Sequence, residues 1–368
     1  MRIGIDIRIL SAGFSGIPNY LRNILDNLQT IDSTNSYFLF EYAGCDYHLF
    51  NEKWSKITVR KNVHAIVATQ LFIPSQIKKL RLDVFLASDY VAPLLVPKEV
   101  KVFTFVYDLT FVHYPETMDW KRLLVSKLFT PLSMTRSKYV ITISDFIKND
   151  ILRSFPKLSP GKIKVISCGA PHRWELPSKY DSQNRDEYLL FVGNLEPRKN
   201  LINLVKALEL IKSGNGKDIS LHVVGLNGWK YQRTNEYIRK SSVRETIVFK
   251  GFISEKELQK EYLYCKAFLF PSIYEGFGIP VLEALSLDCM VLTSKGSVMQ
   301  EIAQDAALYF DPQSPNSISE AIMSIYNSDF DRNKYTKNKE KVISKFSWKN
   351  AAKDLLCLIN DERSTKFD

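Results

Sequence analysis

Apolar and polar residues follow two different periods along this chain. Short apolar runs predict strands, and stretches with an apolar residue every three or four positions predict the helices between them. In the first half, the predicted strands are Arg2–Ile7, Tyr37–Glu41, Val84–Leu86, Val102–Val106 and Tyr139–Ile143. The helices predicted there are Ile17–Leu28, Trp120–Ser133 and Asp145–Phe155.

The stretch Pro171–Glu187 interrupts this alternation, because it is polar, contains two prolines and has no periodic apolar face. We interpret it as a linker between domains. Beyond it, the predicted strands are Tyr188–Val192, Ile219–Val224, Ile247–Phe249, Ala267–Phe270 and Met290–Thr293. The predicted helices are Asn200–Lys212, Trp229–Arg239, Glu255–Tyr264 and Pro280–Leu285, followed by a nearly all-helical tail over Asn316–Asn360.

Regular alternation of strands and helices predicts an α/β fold in which helices cover both faces of a parallel sheet. With 368 residues and one linker, we expect two Rossmann-like domains, residues 1–172 and 173–346. The final helix, 347–360, is expected to pack back on the first domain. Ligands of such sheets bind at the carboxyl ends of the strands, so the loops after the strands are the candidate sites.

The composition, 45% apolar and 24% charged, is typical of a globular protein. A net charge of +10 is compatible with nucleic acid, a membrane or an acidic ligand. We expect no nucleic acid, because the basic residues are not interleaved with aromatic residues in a recognisable module. Scattered cysteines without a Cys-x-x-Cys pair, no signal peptide and no long charge-free apolar run predict a cytoplasmic protein.

The strongest local signal is the segment PSIYEGFGIPVLEAL at Pro271–Leu285. It follows a predicted buried strand and opens a helix, where Pro280 suits the first helical position. Gly276 and Gly278 allow the backbone to approach a ligand closely. The free amides at such a helix start form an anion site that suits a diphosphate.

This segment also carries two carboxylates, Glu275 and Glu283, whose spacing lets both face the same crevice. Carboxylates would repel a phosphate on contact, but they can accept hydrogen bonds from sugar hydroxyls. The alternative is that Glu275 is a solvated loop residue and Glu283 complements the helix dipole. The surrounding glycines, proline and strand favour the ligand-binding interpretation.

A second signal, FVGNLEPRKN at Phe191–Asn200, ends a strand at Gly193 and begins a helix near Asn200. Arg198 and Lys199 therefore lie where two cations oppose the helix dipole, and a bound polyanion would remove that conflict. The alternative is a solvated basic loop. A weaker glycine loop, SAGFSGIP, begins at Ser11; it lacks the dinucleotide fingerprint and could be a plain turn.

Together these motifs resemble those of the retaining GT-B glycosyltransferases of family 4, which include bacterial mannosyl- and glucosyltransferases of surface polysaccharides. The resemblance extends from residue 1 to about residue 355. It implies a GT-B fold, with parallel sheets facing across a cleft and the C-terminal helix crossing back to the N-terminal domain. Residues 1–172 would bind the acceptor and 173–346 the nucleotide-sugar donor.

The resemblance also implies roles for individual residues. Glu275 would contact the donor sugar, Glu283 the ribose, and the backbone near Phe252 the base. The full set of expected donor-binding residues is Gly13, Gly16, Tyr107, Ser144, Gly193, Arg198, Lys199, Phe252, Glu275, Gly276, Phe277, Gly278, Ile279 and Glu283. The residues expected to act in catalysis are Asp108, Arg198, Lys199 and Glu275.

Two positions depart from the family pattern. The family often has His-Asp where this chain has Tyr107-Asp108, so the Tyr107 hydroxyl either replaces the sugar contact or is turned away. Asp108 matches, although it could be a strand-end turn acid. A glycine common after the second glutamate's helix is Asp288 here, a change expected to alter a turn and not the chemistry.

We expect no metal and no other cofactor, because the histidines show no ligand spacing and Asp329-Phe330-Asp331 lies between predicted helices. The leaving-group charge would then be met by Arg198, Lys199 and helix amides. The expected donor is GDP-mannose, because the segment around Glu275 resembles the mannosyltransferase branch, with a UDP-sugar as the alternative. A nucleotide-sugar epimerase and a non-catalytic sugar-binding paralogue remain further alternatives.

The basic charge is concentrated in the first domain. Residues 1–172 carry 22 Lys and Arg against 14 Asp and Glu, and Lys53–Arg81 has seven cations and no acid. Trp120–Phe129 mixes cations with apolar residues at helical spacing. We hypothesise salt-reversible attachment to an anionic inner membrane surface, near a lipid-linked acceptor. The alternative is that the apolar face belongs to the core and the cations are merely solvated.

Overall fold

The computed structural model describes residues 1–12, 16–59, 64–171, 174, 185–327 and 330–361. The chain divides into two compact units, one formed by Met1–Gly169 with Ser347–Asp368 and the other by Ala170–Phe346. The predicted boundary after residue 172 lies just beyond this division, and the predicted linker falls largely outside the described residues.

The described part of the N-terminal unit contains one parallel sheet, in the order β3-β2-β1-β4-β5-β6-β7. Its strands are β1 Arg2–Asp6, β2 Ser36–Tyr42, β3 Trp54–Val59, β4 Val84–Ala87, β5 Lys101–Phe105, β6 Tyr139–Thr142 and β7 Ile163–Val165. Its helices are α1 Gly16–Ile31, α2 Ala65–Val67, α3 Ile73–Lys79, α4 Thr110–His113, α5 Trp120–Arg136 and α6 Asp145–Ser154, with a π-helical turn, Ala68–Phe72, between α2 and α3.

The C-terminal helix, Trp348–Ile359, belongs to this same unit. The indole of Trp348 is buried and packs edge-on against Tyr20 of α1, with 5.7 Å between ring centroids. Gly169 makes this packing possible, since a β-carbon there would lie 2.4 Å from the Trp348 backbone nitrogen.

A second parallel sheet, in the order β10-β9-β8-β11-β12-β13, forms the described part of the C-terminal unit. Its strands are β8 Tyr188–Val192, β9 Ser220–Val224, β10 Ile247–Gly251, β11 Ala267–Phe270, β12 Val291–Ser294 and β13 Ala307–Phe310. Its helices are α7 Leu201–Asn215, α8 Tyr231–Lys240, α9 Glu255–Tyr264, α10 Ile279–Ser286, α11 Met299–Ala303, α12 Pro315–Ser324, α13 Asn333–Thr336 and α14 Lys339–Ile343.

Local sequence explains where these elements begin and end. All residues of β4, β11 and β12 are buried, as expected for parallel strands covered on both faces. A capping box starts α9, because the Ser254 hydroxyl accepts from the Glu257 amide while the Glu257 carboxylate accepts from the Ser254 amide. Gly216 ends α7 in the left-handed conformation.

The prediction of two parallel α/β sheets is confirmed, but three strands were missed: β3, β7 and β13. Each lies at an edge of its sheet and is only partly buried; polar residues interrupt the apolar run in β3 and β7, whereas β13 is a short apolar run that the prediction overlooked. The tail predicted as nearly all helical contains four separate described helices, α12 to α14 and the C-terminal helix.

Candidate active site

The loop after β8 is joined to the loop after β9, which fixes the path of the chain toward Arg198. The Leu195 amide donates to the Leu226 carbonyl at 2.9 Å, and Leu195 pairs with Asn227 in a short parallel bridge. Gly193 has a φ of +151°, within the range that favours glycine. A β-carbon at this residue would lie 3.6 Å from the Lys199 side chain, in van der Waals contact with it. The backbone then forms a 3₁₀ turn over Pro197–Lys199.

Asn200 connects this turn to the loop that follows β11. It adopts the left-handed conformation with a φ of 63°, which asparagine tolerates. Its side-chain amide donates to the carbonyl of Pro271 at 3.1 Å. The Ile273 amide donates to the Arg198 carbonyl at 2.9 Å, so the two predicted motifs are held directly against each other.

The glycine loop then leads into α10. Gly278 has a φ of +116°, which would strain any other residue, and a β-carbon there would lie 2.6 Å from the Met299 methyl, which would have to move. Pro280 lies in the first turn of α10, as expected. Within the described part of the chain, no protein group accepts a hydrogen bond from the amides of Phe277, Gly278 or Ile279. These amides can therefore bind an anion.

Glu275 lies at the centre of a buried charge cluster. Its Oε2 is 2.7 Å from Nη1 of Arg198, and its Oε1 is 2.6 Å from Nζ of Lys199. Arg198 also donates through Nε to Glu196 at 3.0 Å. The structure thus brings together three of the four predicted catalytic residues, and it adds Glu196, to which the sequence reasoning gave no role.

The cluster keeps Glu275 ionised. Burial alone would raise the pKa of this carboxyl, but the charges of Arg198 and Lys199 outweigh it and lower the pKa to about 2. Burial lowers the pKa of Lys199, although Glu275 opposes that change. The ionised carboxylate can accept hydrogen bonds from hydroxyl groups, while the two cations and the amides of Phe277, Gly278 and Ile279 can bind a phosphate.

The second predicted carboxylate, Glu283, has a different environment. It projects from α10, and the buried Tyr262 hydroxyl donates to its Oε2 at 3.0 Å. Burial raises the pKa of Glu283 to about 7, with the Tyr262 hydrogen bond acting in the opposite direction. Tyr262 was not predicted, because an aromatic residue on a helix facing the core gives no sequence signal of a polar contact.

Two aromatic residues of the predicted donor site differ in exposure. Phe252, just after β10, is exposed. Phe277 is buried and packs edge-on against Phe346 of the same unit, with 5.5 Å between ring centroids. Only the backbone of Phe277 is therefore suited to contact a ligand.

The remaining candidates belong to the N-terminal unit. Gly13 lies outside the described residues, whereas Gly16 begins α1, with no atom within 4 Å of the position of an added β-carbon. Ser144 is buried and caps α6 by accepting from the Ile147 amide at 3.2 Å. The hydroxyl group of Ser144 therefore has a structural role as a helix cap, and its role in donor binding stays a prediction.

Tyr107 is turned into the core of this unit, which is the second of the two alternatives for this position. Its ring is buried, and its hydroxyl donates to the Ser88 carbonyl at 2.9 Å. A sugar contact through this hydroxyl is thus corrected to a structural hydrogen bond. Asp108 is partly exposed, and its carboxylate accepts from the Thr110 amide at 2.9 Å at the start of α4.

Two features are absent from the described residues. No group of three or more His, Cys, Asp or Glu residues in the described ranges is arranged to hold a metal ion. Asp329 of the Asp-x-Asp segment lies outside those ranges, and metal independence stays a prediction. Among the helices that the structure describes, none combines the length and apolar character needed to cross a bilayer.

Comparison with known proteins relates the C-terminal part of the chain to a described family. The family model described as glycosyl transferases group 1 matches residues 172–342. O-antigen chain mannosyltransferase B of Escherichia coli is 27% identical over 255 residues, which cover 67% of this chain and 67% of the relative. O-antigen chain mannosyltransferase RfbU of Salmonella typhimurium is 27% identical over 220 residues, covering 60% of this chain and 59% of the relative. The matched segments thus span about three fifths to two thirds of these relatives' lengths.

Solved structures share the fold over almost the whole chain. Sucrose-phosphate synthase from Thermosynechococcus elongatus aligns with a TM-score of 0.76 at 16% identity, covering 98% of each chain. HepE of Anabaena, crystallised with UDP and glucose, aligns with a TM-score of 0.74 at 14% identity, covering 98% of this chain and 99% of HepE. Residues 172–342 thus match the group 1 glycosyltransferases, and the chain, with its two parallel-sheet units, shares the GT-B fold of these solved structures.

Proposed function

We propose that this chain is a retaining hexosyltransferase that transfers mannose from GDP-mannose to a saccharide or lipid-linked saccharide acceptor during the synthesis of a surface polysaccharide. The observation that carries this proposal is the buried Glu275, held between Arg198 and Lys199 and followed by the backbone amides of Phe277, Gly278 and Ile279. That arrangement offers an acceptor for sugar hydroxyls next to donors for a diphosphate.

The reaction breaks the bond between C1 of the sugar and the oxygen of the distal phosphate. The acceptor hydroxyl oxygen bonds to C1 from the same face, and its proton passes to the departing phosphate oxygen. Positive charge develops on the sugar ring and negative charge on the nucleotide. Lys199, Arg198 and the amides of Phe277 to Ile279 would stabilise the second charge, while Glu275 would orient the sugar.

This account needs no covalent nucleophile and no metal ion. Glu275 is engaged by two cations at 2.6 and 2.7 Å, which lowers its nucleophilicity and suits it to binding hydroxyl groups. Arg198 and Lys199 supply the positive charge that a divalent cation provides in other enzymes. Glu283, with a pKa near 7, would accept a hydrogen bond from the ribose.

The identity of the nucleotide sugar rests on relatives. Two of them carry the name O-antigen chain mannosyltransferase, which supports mannose as the sugar and a surface polysaccharide as the product. HepE of the same fold was crystallised with UDP-glucose, which makes a UDP-sugar the second candidate. The second candidate differs from the first in the base and the sugar, while the Glu275 cluster would act identically.

Nucleotide release from a panel of nucleotide sugars tests the proposal. The purified chain is incubated with GDP-mannose or a series of UDP-sugars in EDTA, with and without a saccharide acceptor. We expect saturable release of GDP that increases with the acceptor. Saturable release of UDP but not GDP would overturn the donor assignment, and loss of turnover in EDTA would overturn the metal-free account.

Two controls distinguish transfer from the other classes of activity. An epimerase would convert the donor sugar without any acceptor, and a sugar-binding paralogue would release no nucleotide from any donor. The Lys199→Met variant should lose release, whereas Lys212→Met, which removes a partly exposed lysine paired with Asp218, should retain it.

A further inference from the structure

The helix α5 exposes its large apolar residues and buries its small polar ones. Trp120, Leu124, Leu128 and Leu132 recur every fourth position, and each is between 53% and 67% exposed. The side of the helix that faces the protein is instead formed by Ser126, Thr130, Ser133 and Met134. Such spacing places the four apolar residues along one face, so Leu124, Leu128 and Leu132 are not part of the core.

Hydrogen bonds join α5 to the segment 91–97, and one of them comes from Arg136, which continues the row of the exposed apolar residues. Ser133 accepts from the Ala92 amide at 2.9 Å, and Arg136 donates to the Pro97 carbonyl at 3.2 Å. Leu95, between these two attachment points, is 74% exposed. An exposed apolar surface therefore extends beyond α5 onto the adjoining loop, and contiguous surfaces of this kind mark interaction sites.

The segment on the other side of this loop adds to the surface. Gln70 of the π-helical turn donates to the Ala92 carbonyl at 2.9 Å and accepts from the Leu94 amide at 3.0 Å. The neighbouring Leu71 is 64% exposed. Three adjoining elements thus present bulky apolar side chains to solvent. A single exposed leucine is ordinary on a protein surface, but a group of exposed apolar residues requires an explanation.

Cations surround these apolar residues. The segments 65–79, 91–100 and 120–136 together contain seven Lys and Arg residues and one acid, Glu99. Lys121 and Lys127 of α5 are exposed, and the Lys121 ammonium lies 5.5 Å from the centroid of the Trp120 ring. Long cationic side chains beside exposed Trp and Leu are typical of surfaces that lie in the headgroup region of an anionic bilayer.

We infer that the exposed face of α5, together with Leu71 and Leu95, is a docking surface for an anionic lipid bilayer. Trp120 and the three leucines enter the boundary between headgroups and acyl chains, while Lys121 and Lys127 contact the lipid phosphates. A second copy of this chain fits less well, because a symmetric interface would bring the same cation-rich surface against itself.

Attachment through this surface differs from the purely electrostatic attachment that the basic cluster Lys53–Arg81 would provide. Lys56 of that cluster is paired with Glu41 at 3.1 Å, and Lys53 donates to the Ser33 carbonyl at 2.5 Å. Those two cations are engaged within the protein. Apolar insertion by α5 is screened little by salt, so part of the attachment should persist at high ionic strength.

Vesicle flotation of the full chain, without donor or acceptor, tests the inference independently of the proposed enzymatic activity. The vesicles contain phosphatidylcholine alone or equal parts of phosphatidylcholine and phosphatidylglycerol. We expect partitioning to the anionic vesicles that high salt reduces but does not abolish. The L124Q/L128Q double variant should partition at least about tenfold less at any salt concentration, because two inserted leucines are lost. K121Q/K127Q should lose roughly fivefold per lysine at low salt only.

Matched controls keep the result interpretable. Leu210→Gln changes an exposed leucine on α7 of the other unit and should leave partitioning unchanged. Trp229→Phe removes the other exposed tryptophan, so that a blue shift of emission with vesicles reports Trp120. Equal partitioning of wild type and L124Q/L128Q would overturn the inference. So would a wild-type dimer that this double variant converts to monomer, since a second copy would then occupy the surface.

Discussion

Each unit has a buried ion pair where the first strand of its sheet ends, and the two pairs differ in how completely they are satisfied. In the N-terminal unit, Asp6 at the end of β1 pairs with Arg8 at 2.6 Å. In the C-terminal unit, Lys199 follows β8 and pairs with Glu275 at 2.6 Å. The side chains of all four residues are at most 12% exposed.

The guanidinium of Arg8 has almost every donor engaged. It donates to both oxygens of Asp6, to the Thr69 hydroxyl at 2.6 Å and to the Ala65 carbonyl at 3.2 Å. The ammonium of Lys199 has three donors, and among the described residues it forms an ion pair only with Glu275, with its charge 5.0 Å from the centroid of the Phe270 ring. A buried lysine with unused donors is suited to a ligand.

The difference separates structural from functional charge at the same position in a sheet. A saturated pair has almost no donor or acceptor left for a ligand, and removing one partner leaves an uncompensated buried charge. An unsaturated pair lacks part of its stabilisation until an anion arrives. Both kinds of pair lie at carboxyl ends of strands, so position alone does not identify the ligand site.

The largest effect on stability is expected for Arg8→Met. This change leaves the Asp6 carboxylate buried without a cation, which should lower the free energy of unfolding by about 3–5 kcal/mol. Urea denaturation of the variant and of the double variant Asp6→Asn/Arg8→Met measures it, and the double variant should recover most of the loss. An unfolding midpoint for Arg8→Met equal to that of the wild type would show that the pair is not structural.

For Lys199→Met we expect a larger effect on activity than on stability. The variant should lose at least ~10²-fold in kcat/KM for the donor, as for removal of a charge-stabilising group. Its stability should fall less than that of Arg8→Met, because Arg198 still pairs with Glu275 at 2.7 Å. Steady-state nucleotide release and urea denaturation, done in parallel, check both parts. Normal turnover combined with strong destabilisation would place Lys199 in the structural class with Arg8.

The sequence identified the unsaturated pair but not the saturated one. Arg198, Lys199 and Glu275 lie in segments where glycine and proline punctuate a strand-to-helix turn, and this local chemistry is visible in the chain. Arg8 is two residues beyond a strand without any such signal, and its partners at positions 65 and 69 are distant in sequence. Saturation depends on long-range contacts, so no local pattern reveals it.

The same reason explains the misassigned residues. Tyr107 stands where the family often has histidine, but its hydroxyl donates to the Ser88 carbonyl, a contact between the loops after two neighbouring strands that only the fold creates. Tyr262 was missed because its contact with Glu283 joins two helices. Strands with continuous apolar runs, such as β8 and β11, were predicted at their observed bounds, whereas the edge strands β3 and β7, which polar residues interrupt, were missed.

Within the C-terminal unit, the two glutamates should respond differently to loss of charge. Glu275→Gln should mainly lower kcat, because it removes the group that orients the sugar, while Glu283→Gln should mainly raise the donor KM through lost ribose binding. Each effect should be about tenfold to hundredfold, as for a hydrogen bond to a charged group. Donor saturation curves for both variants measure it, and unchanged kinetics in both would remove these residues from the site.

The smallest expected effect is a pH dependence that distinguishes these glutamates further. Burial raises the pKa of Glu283 to about 7, so the ionised fraction should rise from about a tenth to about nine tenths between about pH 6 and about pH 8. The donor KM should therefore fall by less than about tenfold over that range. Glu275, with a pKa of about 2, should contribute nothing there.

The stability of the ligand-free protein should change in the opposite direction. A carboxyl whose folded pKa is raised holds its proton after the unfolded chain has released it. Its contribution to stability is therefore present below its ordinary pKa and is lost as the pH rises through about 7. Glu283→Gln should flatten both profiles. Tyr262→Phe removes the hydrogen bond that favours the ionised form, so it should move the inflection of the KM profile to higher pH. An inflection at lower pH in this variant would contradict the assigned contact.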